Sequence, residues 1–201
     1  MKILLTAFDP FGGDAYNASA EILAALPDTL GGAVIEKAVV PTSFARCAAE
    51  AAARIEACSP DAVLCLGQAA GRDALTPERV AINIMDARIP DNDGFCPRDL
   101  PIAPDGPAAY FSTLPLRAML AAMESAGVGA KLSDTAGTFV CNCLMYSLLH
   151  RAAVLGPAIP CGFLHVPRLI GRGDGPGPAV DFSLAVRGVA AAAEVIAHTL
   201  L

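Results

Sequence analysis

The sequence predicts a single-domain three-layer α/β/α sandwich with a mixed, largely parallel sheet, and three observations predict it. Short apolar, β-rich runs alternate with longer helical patterns, the order that folds into a parallel sheet covered on both faces. One run, residues 62–67, is apolar at nearly every position, as a central strand must be. The 201 residues are 54% hydrophobic and 17% charged, which supplies a substantial core and excludes a chain disordered as a whole.

The elements follow in order. Residues 3–7 read as a buried strand, closed by the turn formers Asp9-Pro10-Phe11-Gly12-Gly13. Ser19 suits the N-cap of a helix to about Leu26, which Pro27-Asp28 ends. Residues 34–40 form a second strand, and Ser43 suits the cap of an Ala-rich helix to about Cys58. The 62–67 strand comes next, then a strand pattern over 79–85. Residues 89–107 hold five prolines and several acids with no period; so long a loop in a compact domain is functional or mobile as a rule. Pro115 fits the first turn of a helix ending near Gly127. A short strand near Lys131, a helix over 141–154 and a strand over 161–166 follow. Residues 171–178 read as a flexible Gly/Pro loop and 181–201 as a closing amphipathic helix. No repeat or composition break divides the chain.

Lys plus Arg number 14 against 20 Asp plus Glu, a formal net charge of −6. Nucleic acid and anionic membrane are therefore not expected as partners, since both require clustered positive charge. The apolar run at the N-terminus stops at Asp9-Pro10, short of the roughly 7–15 residues of a secretory leader, and no stretch reaches the ~18 of a membrane span. Seven cysteines, odd in number and irregular in spacing, do not suit a disulfide framework. A reducing cytoplasm, where they stay thiols, is the expected location.

Histidine is scarce. His198 falls in the last turn of the closing helix and His150 late in its own, where the helix dipole favours a cation. His165 instead ends an apolar run at the carboxyl end of a strand, where open α/β sheets build their sites, although a histidine there serves packing more often than chemistry. Cys47, Cys58 and Cys65 lie where small hydrophobes belong; Cys96 is in the Pro-rich loop and Cys161 opens the His165 strand. Cys141 opens a helix, where the dipole and unpaired N–H groups favour thiolate and can hold an oxyanion. Cys143 would point about 200° away around that helix. Burial is the ordinary role for a thiol like Cys141, but a cysteine nucleophile needs an imidazole within reach, and His165 lies one helix and one strand away. Glu78, Asp86, Asp91 and Asp93 are candidates to orient that imidazole, and spacing does not choose among them. Neither C-x-x-C nor H-E-x-x-H occurs, so no metal is expected, and without a phosphate-binding glycine motif nucleotide binding is unsupported.

Longer blocks then become informative together: Leu5-Thr6-Ala7-Phe8-Asp9-Pro10-Phe11-Gly12-Gly13, Gly67-Gln68-Ala69, and Thr76-Pro77-Glu78-Arg79-Val80-Ala81-Ile82-Asn83. Ala87-Arg88-Ile89-Pro90-Asp91-Asn92, Thr135-Ala136-Gly137-Thr138-Phe139-Val140-Cys141-Asn142 and Gly162-Phe163-Leu164-His165-Val166-Pro167 complete the set. In this order, nearly end to end, they resemble the pyroglutamyl peptidase I family of cysteine peptidases. The resemblance implies a single catalytic domain over 1–201 that removes N-terminal pyroglutamyl residues from peptides, with Cys141 as nucleophile, His165 as base and acid, and Glu78 orienting the imidazole. It implies an oxyanion held by the Cys141 N–H and Arg88. It also implies a lactam pocket walled by Phe8 and Phe11, braced by Asn17 and read by backbone groups near Gln68 and Val140; taken alone, the two phenylalanines would be core. No cofactor is implied beyond a reduced thiol, and a homotetramer is. Ala7, Ala18 and Ala70 depart from the family's usual glycine, proline and glycine. Two other readings use the same residues: an amidase or deamidase for a different small amide, and a binding module without turnover.

Overall fold

The structure, a computed structural model, describes residues 1–155, 159–172 and 177–200. Its elements are β1 (Lys2–Phe8), α1 (Ala18–Ala25), β2 (Thr29–Leu30), β3 (Ala33–Val40), α2 (Cys47–Cys58), β4 (Ala62–Gln68), β5 (Thr76–Glu78) and β6 (Val80–Ile82). They continue with β7 (Ala109–Phe111), α3 (Leu116–Ser125), α4 (Val140–Leu155), β8 (Cys161–Val166), β9 (Arg168–Leu169), β10 (Ala179–Val180) and α5 (Phe182–Leu200).

Six strands form the main sheet in the order β2-β3-β1-β4-β8-β5. β3, β1, β4 and β8 run parallel, and β2 and β5 are antiparallel edges, so the sheet is mixed and largely parallel as expected. Alternation along β1 divides the core: Ile3, Leu5 and Ala7 face α1, α3 and α5, while Leu4 and Phe8 face α2 and α4. Helices therefore cover both faces, the arrangement that parallel strands require. α5 is long and apolar enough by composition to cross a bilayer, but Ala185, Val189, Ala192, Ala193, Ile196 and Ala197 are buried in the core it shares with α1 and α3.

Several local expectations are corrected. The cap of α1 is Asn17, whose Oδ1 accepts from Ser19 N at 3.0 Å; Ser19 is instead buried inside the helix. Ser43 does cap a turn, accepting from Arg46 N, but α2 proper starts at Cys47. Pro115 precedes α3 rather than opening it, and Gly127, at φ 74°, closes it: its N–H bonds Glu124 O while Val128 N bonds Met123 O, a Schellman end. Of the strand expected over 79–85 only Val80–Ile82 forms, as β6, pairing with β7 in a separate ribbon; β5, which ends at Glu78 just before it, belongs to the main sheet. The strand near Lys131 is reduced to two bridges, Leu75–Ala130 and Glu78–Ser133. His150 is a packing group, bonded to Tyr110 Oη at 2.9 Å and stacked on Tyr146. Within the Gly/Pro segment, residues 173–176 lie outside the described residues, as does the last residue of the closing helix.

The long loop, 89–107, has no strand or helix yet is pinned throughout. Asp91 accepts from the N–H groups of Phe44, Asp93 and Phe95, and Asn83 Oδ1 accepts from those of Ile102 and Ala103 while its Nδ2 donates to Ala103 O and Gly106 O. Asn83→Ala removes four bonds to loop backbone groups, of which Ala103 O keeps the Gly106 N–H, and is expected to lower stability to denaturant by about 1–3 kcal/mol. The same variant should admit protease cleavage within 95–107 faster than the parent; equal cleavage and equal stability would show that the loop is held by other means.

Candidate active site

Strand register determines which side chains meet. In the antiparallel β5–β8 pair Thr76 lies opposite His165 and Glu78 opposite Phe163, so Glu78 and His165 are diagonal neighbours on one face. His165 Nδ1 donates to Glu78 Oε1 at 2.7 Å. That oxygen also takes Arg72 Nη1 at 2.6 Å and can only accept; Nδ1 therefore carries the proton, and Nε2 of the neutral ring is left as an acceptor. Asp86, Asp91 and Asp93 are occupied elsewhere: Asp86 with Asp99 N and Arg98, Asp91 in its turn, Asp93 with Arg46 and Ser43. Glu78 is the acid that reaches the imidazole.

On the other flank of β8, Gly67 pairs with His165. A Cβ built at Gly67 would lie 2.9 Å from Cys141 Sγ and 2.7 Å from Phe163 Cζ, so only glycine leaves room for the sulfur there. Cys141 lies in the first turn of α4, whose first internal donor is Cys143 N bonding Phe139 O; the preceding N–H groups have no helical partner. Cys143 is buried away from the site against the Phe44 carbonyl. Cys141 and His165 line one cavity of about 490 Å³.

The helix terminus does not dominate the electrostatics at Cys141. Burial, then the Glu78 charge, pushes the Cys141 thiol up to about 12, against the smaller opposing effects of Arg72 and the cysteine's own N–H. Burial likewise lowers His165 below its ordinary value, against the pull of Glu78. Cys65 and Cys161 are pushed up to about 12 as well, so the cavity and the imidazole distinguish Cys141, not its acidity. A neutral thiol beside a neutral base can still deliver a nucleophile if the proton moves as the bond forms.

The other expected residues also line this cavity: Phe8, Phe11, Asn17, Gln68, Arg88 and Val140. Phe8 and Val140 are buried walls. Asn17 is a brace, its Oδ1 taken by Ser19 and its Nδ2 donating to Asp9 O. Gln68 Oε1 accepts from Ala18 N at 2.7 Å, a bond that proline at 18 would delete, and this fixes the Gln68 side chain at the edge of the cavity. Arg88 is exposed at the rim and makes no ion pair among the described residues. Sequence reasoning missed Arg72, Thr42 and Phe139. Phe139 lies tilted against Phe11 at 5.9 Å between ring centroids and meets Phe44 edge-on at 5.3 Å. Its position just before the cysteine was the available signal. No group of three or more metal-ligating side chains occurs among the described residues.

Comparison with known proteins agrees in every direction. The family model described as pyroglutamyl peptidase matches residues 1–199. A pyrrolidone-carboxylate peptidase of Streptococcus pyogenes is 56% identical over 167 residues, 83% of this chain and 78% of that protein. Among solved structures, the pyrrolidone carboxyl peptidase of Thermococcus litoralis superposes with a TM-score of 0.94 at 35% identity, covering 99% of this chain and 94% of the other. The pyroglutamyl peptidase I of Bacillus amyloliquefaciens gives a TM-score of 0.94 at 39% identity, over 98% and 94%.

The raised thiol and lowered imidazole set a pH dependence. A group with a raised thiol pKa gains thiolate only as pH rises, and the imidazole is available as base once it is neutral. Modification of Cys141 by iodoacetamide is expected to climb through the neutral range with no acid plateau, and exposed Cys96 should label first. Peptide mapping after timed labelling reads both; a rate at Cys141 that stays level down to pH ~5 would indicate a preformed thiolate–imidazolium pair instead.

Proposed function

This chain belongs to the pyroglutamyl peptidase family, and on that premise we propose that Cys141, His165 and Glu78 carry its reaction. The protein removes N-terminal pyroglutamyl residues from peptides by hydrolysing the amide that follows them. The observation behind the roles is the line from Glu78 through His165 to a cavity that also contains Cys141.

Cys141 Sγ attacks the pyroglutamyl carbonyl carbon as its proton passes to His165 Nε2, and Glu78 holds the ring through Nδ1. The Cys141 N–H, at the start of α4, and Arg88 stabilise the oxyanion. His165 returns the proton to the amine as the C–N bond breaks, leaving a thioester. It then deprotonates water; addition of hydroxide and loss of sulfur give pyroglutamate and free thiol. Phe8 and Phe11 wall the ring, backbone groups near Gln68 and Val140 read its N–H and carbonyl, and Asn17 braces the set. The ring is neutral and its nitrogen acylated, so no acidic anchor for an amine is needed.

The rest of the reading is one catalytic domain over 1–201, a thiol kept reduced and no other cofactor. It includes a cytoplasmic location, supported by seven free thiols, and a homotetramer. The test is a pyroglutamyl-aminocoumarin reporter beside its free-amine prolyl analogue. The parent should release fluorophore from the first alone, and Cys141→Ser should be slower by about 10³-fold or more. Near-parental turnover by folded Cys141→Ser would remove the cysteine from the mechanism.

A further inference from the structure

Arg72, in the turn between β4 and β5, is directed into the candidate triad. Its Nη1 meets Glu78 Oε1, the oxygen that also takes His165 Nδ1–H. Nη1 donates as well to Thr76 Oγ1, on the strand that carries Glu78, and Nη2 donates to the Thr135 carbonyl at 2.9 Å, just ahead of α4. Glu78 is 0% exposed, and its Oε2 has no hydrogen-bond partner among the described residues. All compensation of the carboxylate therefore falls on one oxygen, divided between a guanidinium and an imidazole.

We propose that Arg72 is a positioning residue for this reaction, which shares Glu78 Oε1 with His165 to keep the imidazole a neutral base and ties Thr135 to Thr76 to hold the cysteine-bearing helix against the carboxylate. The proposal rests on the roles of Cys141, His165 and Glu78 given above. A carboxylate serving the imidazole alone would favour the protonated ring, and a protonated ring cannot accept the thiol proton. Arg72 opposes this by occupying the shared oxygen and by placing positive charge beside the ring. The groups around His165 are Glu78 from β5, Arg72 from the β4–β5 turn and Cys141 from α4 across the cavity, with Phe163 of its own strand at 4.7 Å; Gly67 of β4 brings no side chain. Arg72 is thus the cation that offsets Glu78. Its charge also lowers the Cys141 thiol, so one side chain favours both partners of the proton transfer.

The test is the pH dependence of kcat/KM on the pyroglutamyl reporter for the parent, Arg72→Met, Arg72→Lys, Thr76→Val and Cys141→Ser. Arg72→Met should lower kcat by about 10- to 100-fold with KM within about 3-fold. Its acidic limb should move to higher pH by about half a unit or more, because the imidazole holds its proton longer. Arg72→Lys should bring the limb back toward the parent while recovering only part of kcat, since an ammonium restores charge but not the planar fork that reaches Glu78 and Thr135 together. An unmoved limb in Arg72→Met, with the loss of kcat matching a loss of folded protein by circular dichroism, would overturn the proposal. So would a limb in Arg72→Lys no nearer the parent's than that of Arg72→Met. Should Arg72→Met fail to fold, Thr76→Val decides: it removes the tether, so a smaller shift in the same direction supports the proposal and an unchanged limb and kcat refute it. Cys141→Ser separates the two levels. Full activity there overturns the triad itself, whereas an inactive Cys141→Ser beside an unmoved Arg72 limb overturns only the role of Arg72.

Discussion

Glu78 sits against His165 with no exposed surface of its own, and a carboxylate so placed has to be compensated by donors and positive charge, here gathered on Oε1. Removing one partner of a buried pair leaves the other uncompensated, at a cost of about 3–5 kcal/mol. That constraint reaches well beyond the two side chains. It requires β5 to run antiparallel to β8 in one register, since a slip of one residue would turn Glu78 to the opposite face. It requires a cation in the β4–β5 turn, supplied by Arg72. It also limits β4, where anything larger than Gly67 would displace Phe163 or the sulfur opposite the ring.

The cavity is floored by the strand ends at Phe8, Gln68 and His165 and completed by loops tied to one another. Asp9 Oδ1 accepts from Thr42 N and from Asn92 Nδ2, Asn92 also donates to Pro10 O, and Asp91 takes Phe44 N. The loops after β1 and β3 and the 89–107 segment are thereby cross-linked. Phe11, Phe139 and Phe44 then meet in tilted and edge-on contacts along one side. A pocket held this way is formed before a ligand arrives, so binding need not order it.

Local features were legible in the sequence. The apolar runs at β4 and β8 and the alternation of strand and helix depend on nearest neighbours, and they gave the layered sandwich directly. What depends on distant partners was not legible. Residues 79–85 carry a strand pattern, but only Val80–Ile82 forms one, in a ribbon with β7, while the main-sheet strand β5, paired with β8, ends just before that range at Glu78. Spacing left four acids as partners for His165; only the β5–β8 register selects Glu78, although the family resemblance pointed there. Arg72 went unnoticed beside Asp73, in a segment that reads as a polar turn. At Cys141 two local rules conflicted. A helix terminus contributes about 0.3–1 kcal/mol, less than the roughly 1.4 kcal/mol of a single pKa unit, so burial prevails.

One feature of the sheet governs how such a chain is made. β4 and β5 are consecutive strands that do not touch; β8, from the last third of the sequence, lies between them. During synthesis β4 leaves the ribosome with β1 on one side and an unsatisfied edge on the other, and that edge stays open until Val166 has emerged. A chain not yet extended to β8 carries the acid without its imidazole and is inert toward peptides around it. The same interval is when strand exchange with another nascent chain is easiest, so chaperone demand should be concentrated just before β8 inserts.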